Sequence, residues 1–237
     1  MSKIVTVAAY KGGVGKTTLA LELAHLLDAP LVDLDWDRGG ASRRWGYRHE
    51  ERSTAPLVDA LNHGKTPRLL RGKNKADLLP SHPEFATVQP SAEDMSAALG
   101  KWAGEWGRDA VVVDTHPGGV PSTFGAMYAA SVVIVPVELA NGAIDALEGM
   151  LDEAADYPLL IVPNKVPTIP PALALRRLGE LSTRWEVPVG PPIPNTAALP
   201  NRQQRMAVTA VKPTPARVSR YVAQLRVLAE AVRTYGR

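Results

Sequence analysis

The stretch Tyr10-Lys11-Gly12-Gly13-Val14-Gly15-Lys16-Thr17-Thr18 constrains this chain more than any other. A glycine-rich turn that runs into a helix leaves several backbone N–H groups unpaired and aimed inward, a nest shaped for phosphate oxygens. The flanks have the required character. Lys3-Ile4-Val5-Thr6-Val7-Ala8-Ala9 reads as a buried strand, and Leu19, Leu23, Leu26 and Leu27 recur at helical spacing. Strand, loop and helix therefore follow in the order that a phosphate-binding loop needs. In that arrangement Gly12, Gly13, Val14, Gly15 and Thr18 line the nest, Lys16 reaches the β and γ phosphates of a nucleotide, and the Thr17 hydroxyl binds Mg²⁺. One departure is visible. The common form of the loop has glycine five positions before Gly15, whereas here Tyr10 stands there and an extra lysine, Lys11, follows.

The rest of the chain has the rhythm of a parallel sheet covered on both faces. Apolar runs at Ile4–Ala9, Leu31–Leu34, Ala86–Val88, Ala110–Val113, Val132–Val137 and Leu159–Val162 alternate with helical patterns. Two stretches break it, Arg38–Arg52 and His63–Pro83, and both read as surface loops with short helices. Near the C-terminus, Val218, Tyr221, Val222, Leu225, Leu228, Ala229 and Val232 make one apolar stripe on a helix, expected to pack on the domain itself. At 237 residues and 45% hydrophobic content, residues 1–237 are expected to form a single domain.

Composition excludes several classes. Without cysteine the chain can form neither disulfides nor cysteine-ligated iron–sulfur clusters. With no run of eighteen apolar residues and no leader before the first strand, a cytoplasmic location is expected. The net charge is only +3, but residues 201–237 hold eight basic side chains and one acid, Glu230. Such a tail is either a footprint for a polyanion or a solvated helix face.

Ala110-Val111-Val112-Val113-Asp114 is a buried strand that delivers a carboxylate to the C-terminal edge of the sheet, where open α/β folds bind ligands. About a hundred residues after a phosphate loop, Asp114 is placed to hold a water of the Mg²⁺ shell.

Lys11 to Thr18 matches the Lys-Gly-Gly-x-Gly-Lys-Thr-Thr loop of the ParA/MinD ATPases, and the chain resembles that family over nearly its whole length. The resemblance implies a deviant Walker A P-loop ATPase, with a mostly parallel, twisted central sheet and helices on both faces. It implies ATP and Mg²⁺ as cofactors and a homodimer formed on ATP binding, in which Lys11 crosses the interface to the partner's phosphates. In Leu31-Val32-Asp33-Leu34-Asp35 the second aspartate, Asp35, would orient the attacking water in switch I. The following segment is one residue longer than in the family, so Asp37 shares or takes that role. In switch II, His116 stands where the family has proline, as a modulator of the switch or as a bystander beside the nucleotide. Asn164 after Ile161-Val162-Pro163 is an adenine contact or a turn residue, and Pro194 lies beside the base by the same likeness.

The tail from Ile193 is similar to the DNA-binding end of short ParA partition proteins that lack an N-terminal helix-turn-helix. Arg202, Arg205, Lys212, Arg217 and Arg220 are the implied contacts to non-specific double-stranded DNA. The expected protein is nucleoid-associated, positions plasmid or chromosome cargo, and is triggered by a ParB-like centromere-binding or adaptor protein. The alternatives are ParA-type positioning of a protein cargo and a MinD-like membrane organiser. Pro213 and Pro215 close before the last helix, and its mild terminus, argue against the second. The Arg43, Arg44, Arg48 and Arg52 cluster is a possible second DNA patch.

Overall fold

The computed structural model describes residues 2–37, 40–199 and 205–236. Six strands, β1 (Lys3–Val7), β2 (Leu31–Asp33), β3 (Leu78–Leu79), β4 (Ala110–Asp114), β5 (Val132–Val137) and β6 (Leu159–Pro163), form one sheet in the order β3-β2-β4-β1-β5-β6. Every pairing between these strands is parallel. β4 and β5 are buried at each residue, as strands covered on both faces must be.

The helices are α1 (Lys16–Leu26), α2 (Ala41–Trp45), α3 (Pro56–His63), α4 (Ala92–Trp106), α5 (Pro121–Tyr128), α6 (Asn141–Ala154), α7 (Ala172–Arg184) and α8 (Ser219–Thr234). Alternate strand residues divide the core. Val5, Val7, Val132 and Ile134 meet α1 and α8 on one face. Ile4, Val111 and Val113 meet α3, α4 and α5 on the other, which α6 and α7 continue over Val133, Val135 and Val137. The stripe of α8 is buried along its length, including Tyr221, Val222, Leu225, Leu228 and Val232. At about 1.5–3 kcal/mol for each large side chain, lifting α8 off the sheet would cost on the order of 10 kcal/mol.

One strand differs from the sequence reading. Ala86–Val88 is not a strand: Pro83–Ala86 is a 3₁₀ turn anchored by buried Phe85. The edge strand is instead Leu78–Leu79, inside the stretch that reads as loop. Two residues are too short to show a period. What holds them is tertiary: pairing with Leu31 and Val32, a return bridge from Leu70, and Asp77 between Arg71 and Arg108.

Candidate functional site

The site lies where β1, β2 and β4 end side by side. In register, Val7 pairs with Asp114 and Asp114 with Asp33, so the two carboxylates are neighbours at the C-terminal edge, beside the loop that leaves β1. The loop turns into α1 through Gly15, whose φ of 98° is left-handed and suits glycine alone. A Cβ at Gly15 would also stand 2.3 Å from the Asn164 amide nitrogen.

Asn164 sits past the end of β6 and its Nδ2 donates to the Val14 carbonyl at 2.7 Å. Lys165 adds a second tie, donating from Nζ to the Gly13 carbonyl at 2.6 Å while pairing with Glu138 at 2.7 Å. The loop is thus strapped to the sheet from β6. Lys165 has no signal in the sequence, since a lysine after a strand is ordinary.

Lys16 is buried against the acidic edge. Burial lowers its pKa, while Asp114 and Asp35 work in the opposite direction. Asp114 is fully buried, and neither carboxylate oxygen is in a well-formed hydrogen bond. Burial, then the charge of Asp33, pushes its carboxyl well above the usual range, against the pull of the Thr17 hydroxyl and Lys16. Asp35 is raised by burial as well.

Asp33 is the residue that sequence reasoning passed over. It accepts from the Asp35 amide at 3.0 Å, the Ser42 amide at 2.6 Å and the Ser42 hydroxyl at 2.5 Å. Burial still pushes it up to about 7. Gly40 closes on this knot so tightly that a Cβ there would stand 2.8 Å from the Asp35 carbonyl oxygen. Asp33 therefore braces the segment that presents Asp35, whose own carboxylate accepts from the Asp37 amide at 3.0 Å.

Asp114 and Asp35 face the buried Lys16 ammonium, with Asp33 beside Asp114, and neither Asp114 oxygen is in a well-formed hydrogen bond, so this edge calls for added positive charge and for a ligand to those oxygens. A divalent cation would satisfy both conditions, and Thr17 and Asp114 are the residues that would hold it.

The remaining candidates are more dispersed. Gly12, Gly13 and Lys11 are exposed, and Thr17 and Thr18 are half-buried. The ammonium of Lys11 lies against Gly142 at the start of α6 of its own chain, 3.1 Å from where a Cβ would be. Thr18 accepts from Arg44 at 2.7 Å, which brings the arginine-rich segment onto α1. Pro194 is bridged to Val166, next to Asn164.

In the tail, Lys212, Arg217 and Arg220 are exposed, and Arg202 lies outside the described residues. Arg205 extends over Gly46, so the tail and the arginine-rich segment are neighbours. Buried Glu22 of α1 fastens that tail by accepting from the Val208 amide and from both the amide and the hydroxyl of Thr209. Among the described residues no helix is long and apolar enough to cross a membrane.

A parallel sheet with a glycine-rich loop after its central first strand, a buried lysine and an edge aspartate defines a P-loop nucleotide-binding protein. A family model described as an AAA domain matches residues 2–156. The chain belongs to that family, and within it to the ParA/MinD group of P-loop ATPases. Over 152 residues it is 32% identical to the chromosome-partitioning ATPase Soj of Thermus thermophilus, covering 62% of this chain and 59% of Soj. The chain thus spans about three-fifths of that relative's length.

Its fold is that of solved relatives. Apo McdA from Cyanothece superposes with a TM-score of 0.78 at 18% identity, covering 98% of this chain and 100% of McdA. Cobyrinic acid a,c-diamide synthase from Mycobacterium smegmatis, solved with an ATP analogue and magnesium, gives 0.72 at 23% identity, covering 100% and 97%.

Proposed function

We propose that this chain is a ParA-type partition ATPase: it binds ATP and Mg²⁺, dimerises on the nucleotide, binds DNA without sequence preference, and releases it on hydrolysis. The observation that carries the ATPase reading is the buried Asp114, its oxygens unpaired beside Thr17 and Lys16 at the mouth of the phosphate loop. When bound there, Mg²⁺ would neutralise the triphosphate and polarise its γ-phosphoryl group.

The chain's own residues do the rest. Backbone amides from Gly12 to Thr17 cradle the phosphates, and Lys16 stabilises charge on the transferring group. Asp35, braced by Asp33, orients the attacking water. Positioning suffices there, because a loose transition state needs little help from a strong base. Lys11 leaves Gly142 and crosses to the nucleotide of the second subunit, so that ATP binding and dimerisation are one event.

The exposed Lys212, Arg217 and Arg220, with Arg205 beside the Arg43–Arg44 segment, support a DNA-binding surface on the dimer. Burial of the α8 stripe favours this over membrane insertion of that helix. A nucleoid location and a ParB-like or adaptor partner follow from the same reading, and cargo of DNA or protein is compatible with it.

The test is DNA binding by fluorescence anisotropy with ATP–Mg²⁺, with ADP and without nucleotide. The expected result is strong affinity with ATP alone, falling steeply on a log–log salt plot. Equal affinity in all three states would overturn the cycle.

A further inference from the structure

His116 follows the edge of β4 by two residues, and its imidazole is held in a geometry that a neutral ring does not satisfy. Its Nδ1 lies 2.7 Å from the Pro117 carbonyl oxygen. A carbonyl only accepts, so Nδ1 carries the proton, and a neutral ring then keeps its lone pair on Nε2. That lone pair faces the Asp37 carboxylate at 3.4 Å, acceptor against acceptor. For a neutral ring such a contact is repulsive, and it calls for a positive centre between the two atoms, either a proton that makes the ring an imidazolium or a metal ion.

The ring is not free to turn away. Trp36 stacks on it with centroids 3.9 Å apart and planes 8° from parallel, and Trp36 is itself set edge-on to Phe85. Asp35 supplies a third donor: single ligand atoms from Asp35, Asp37 and His116 all lie within 4.8 Å of one another. Metal bonds of about 2.0–2.2 Å at a tetrahedral angle separate two ligand atoms by about 3.4 Å, the spacing seen between His116 and Asp37.

From this juxtaposition we propose that Asp35, Asp37 and His116 form a site for a borderline divalent metal of the zinc class, separate from the magnesium position at Thr17 and Asp114. One imidazole nitrogen with two carboxylates suits zinc or cobalt, whereas Mg²⁺ prefers an all-oxygen octahedron. Asp35 and Asp37 also line a shallow cleft that they share with Ser42, His49 and His82. Metal bound there would join the segment after β2 to the segment after β4. It would also withdraw Asp35 from water positioning and so inhibit hydrolysis. That inhibitory consequence rests on the role proposed above for Asp35; the binding does not.

The experiment uses nucleotide-free protein titrated with Co²⁺ and followed by visible absorption. One Co²⁺ per chain with four-coordinate d–d bands is expected, bleached by Zn²⁺ and insensitive to Mg²⁺. His116→Ala and Asp37→Asn should each weaken Co²⁺ binding by at least about tenfold, with folding checked by circular dichroism. Asp37 is exposed, so its variant decides the matter if His116→Ala does not fold. Absence of the bands in the wild type, or unchanged affinity in a folded variant, would overturn the site. An imidazolium bridging Asp37 without metal, visible as a His116 resonance that ignores Zn²⁺, would overturn it too. Failure of the ATPase reading would look different: no hydrolysis at any metal concentration, with Co²⁺ binding intact.

Discussion

The Asn164 amide donates to the carbonyl of Val14 at 2.7 Å, joining residues 150 positions apart and fixing the phosphate loop to the end of β6. The side chain implied as an adenine contact is thus also a structural tie of the loop. Asn164→Ala removes the donor to that carbonyl, so Tm should fall by about 2–4 °C, the equivalent of about 1 kcal/mol in a chain of this size. Affinity for ATP should fall with it. Calorimetry paired with nucleotide titration checks both, and an unchanged Tm would separate Asn164 from the loop.

Gly15→Ala meets two obstacles, the left-handed backbone at φ 98° and a Cβ 2.3 Å from the Asn164 nitrogen. The loop must distort to admit it. Loss of measurable ATP binding is expected, with secondary structure retained by circular dichroism. Wild-type affinity in this variant would show that the loop does not hold the nucleotide in this conformation.

The acidic edge makes stability depend on pH in a definite direction. Asp33 at about 7, with Asp114 and Asp35 also raised, means that the folded protein keeps protons that unfolded carboxyls release near pH 4. Wherever the folded state binds more protons, stability falls as pH rises. Tm of the nucleotide-free protein should therefore decline from about pH 4 to about pH 7. Asp114→Asn should flatten this slope and raise Tm at neutral pH by on the order of 5 °C, while abolishing Mg²⁺-dependent hydrolysis. A lower Tm for that variant at neutral pH would contradict the electrostatic account.

Glu22→Ala strips three donors, the Val208 amide and the amide and hydroxyl of Thr209, of their buried acceptor. Each lost partner costs about 1–3 kcal/mol, so Tm should fall clearly, and the segment around Val208 should lose protection in hydrogen exchange ahead of the sheet. Uniform loss of protection across the chain would assign Glu22 to global stability instead.

Much of this was legible in the sequence because its signals are local. Long valine-rich runs mark β4 and β5, and loop glycines announce the turn into α1. The stripe on α8 is periodic over several turns. Where the structure departs, the cause is tertiary. Leu78–Leu79 is a strand only because Leu31 and Val32 lie beside it, and Ala86–Val88, apolar in pattern, follows Phe85 into a turn. Asp33 looked like the lesser of two aspartates, and its bracing role depends on Ser42, nine residues away. His116 was legible as a departure from a pattern, but its stacking on Trp36 and approach to Asp37 required the two segments to meet. Lys11 was singled out by resemblance, and its position against Gly142 describes one chain alone.

The central claim, that ATP binding and dimerisation are one event through Lys11, is tested most directly by sedimentation velocity with ATP and Mg²⁺ in an Asp35→Ala background, chosen because the role proposed for Asp35 predicts that it slows hydrolysis. The account predicts that this protein moves from 25.4 kDa to twice that mass, and that adding Lys11→Ala, with folding confirmed, returns it to the monomer. A dimer that forms equally well without Lys11, or a protein that stays monomeric at saturating ATP, would contradict it.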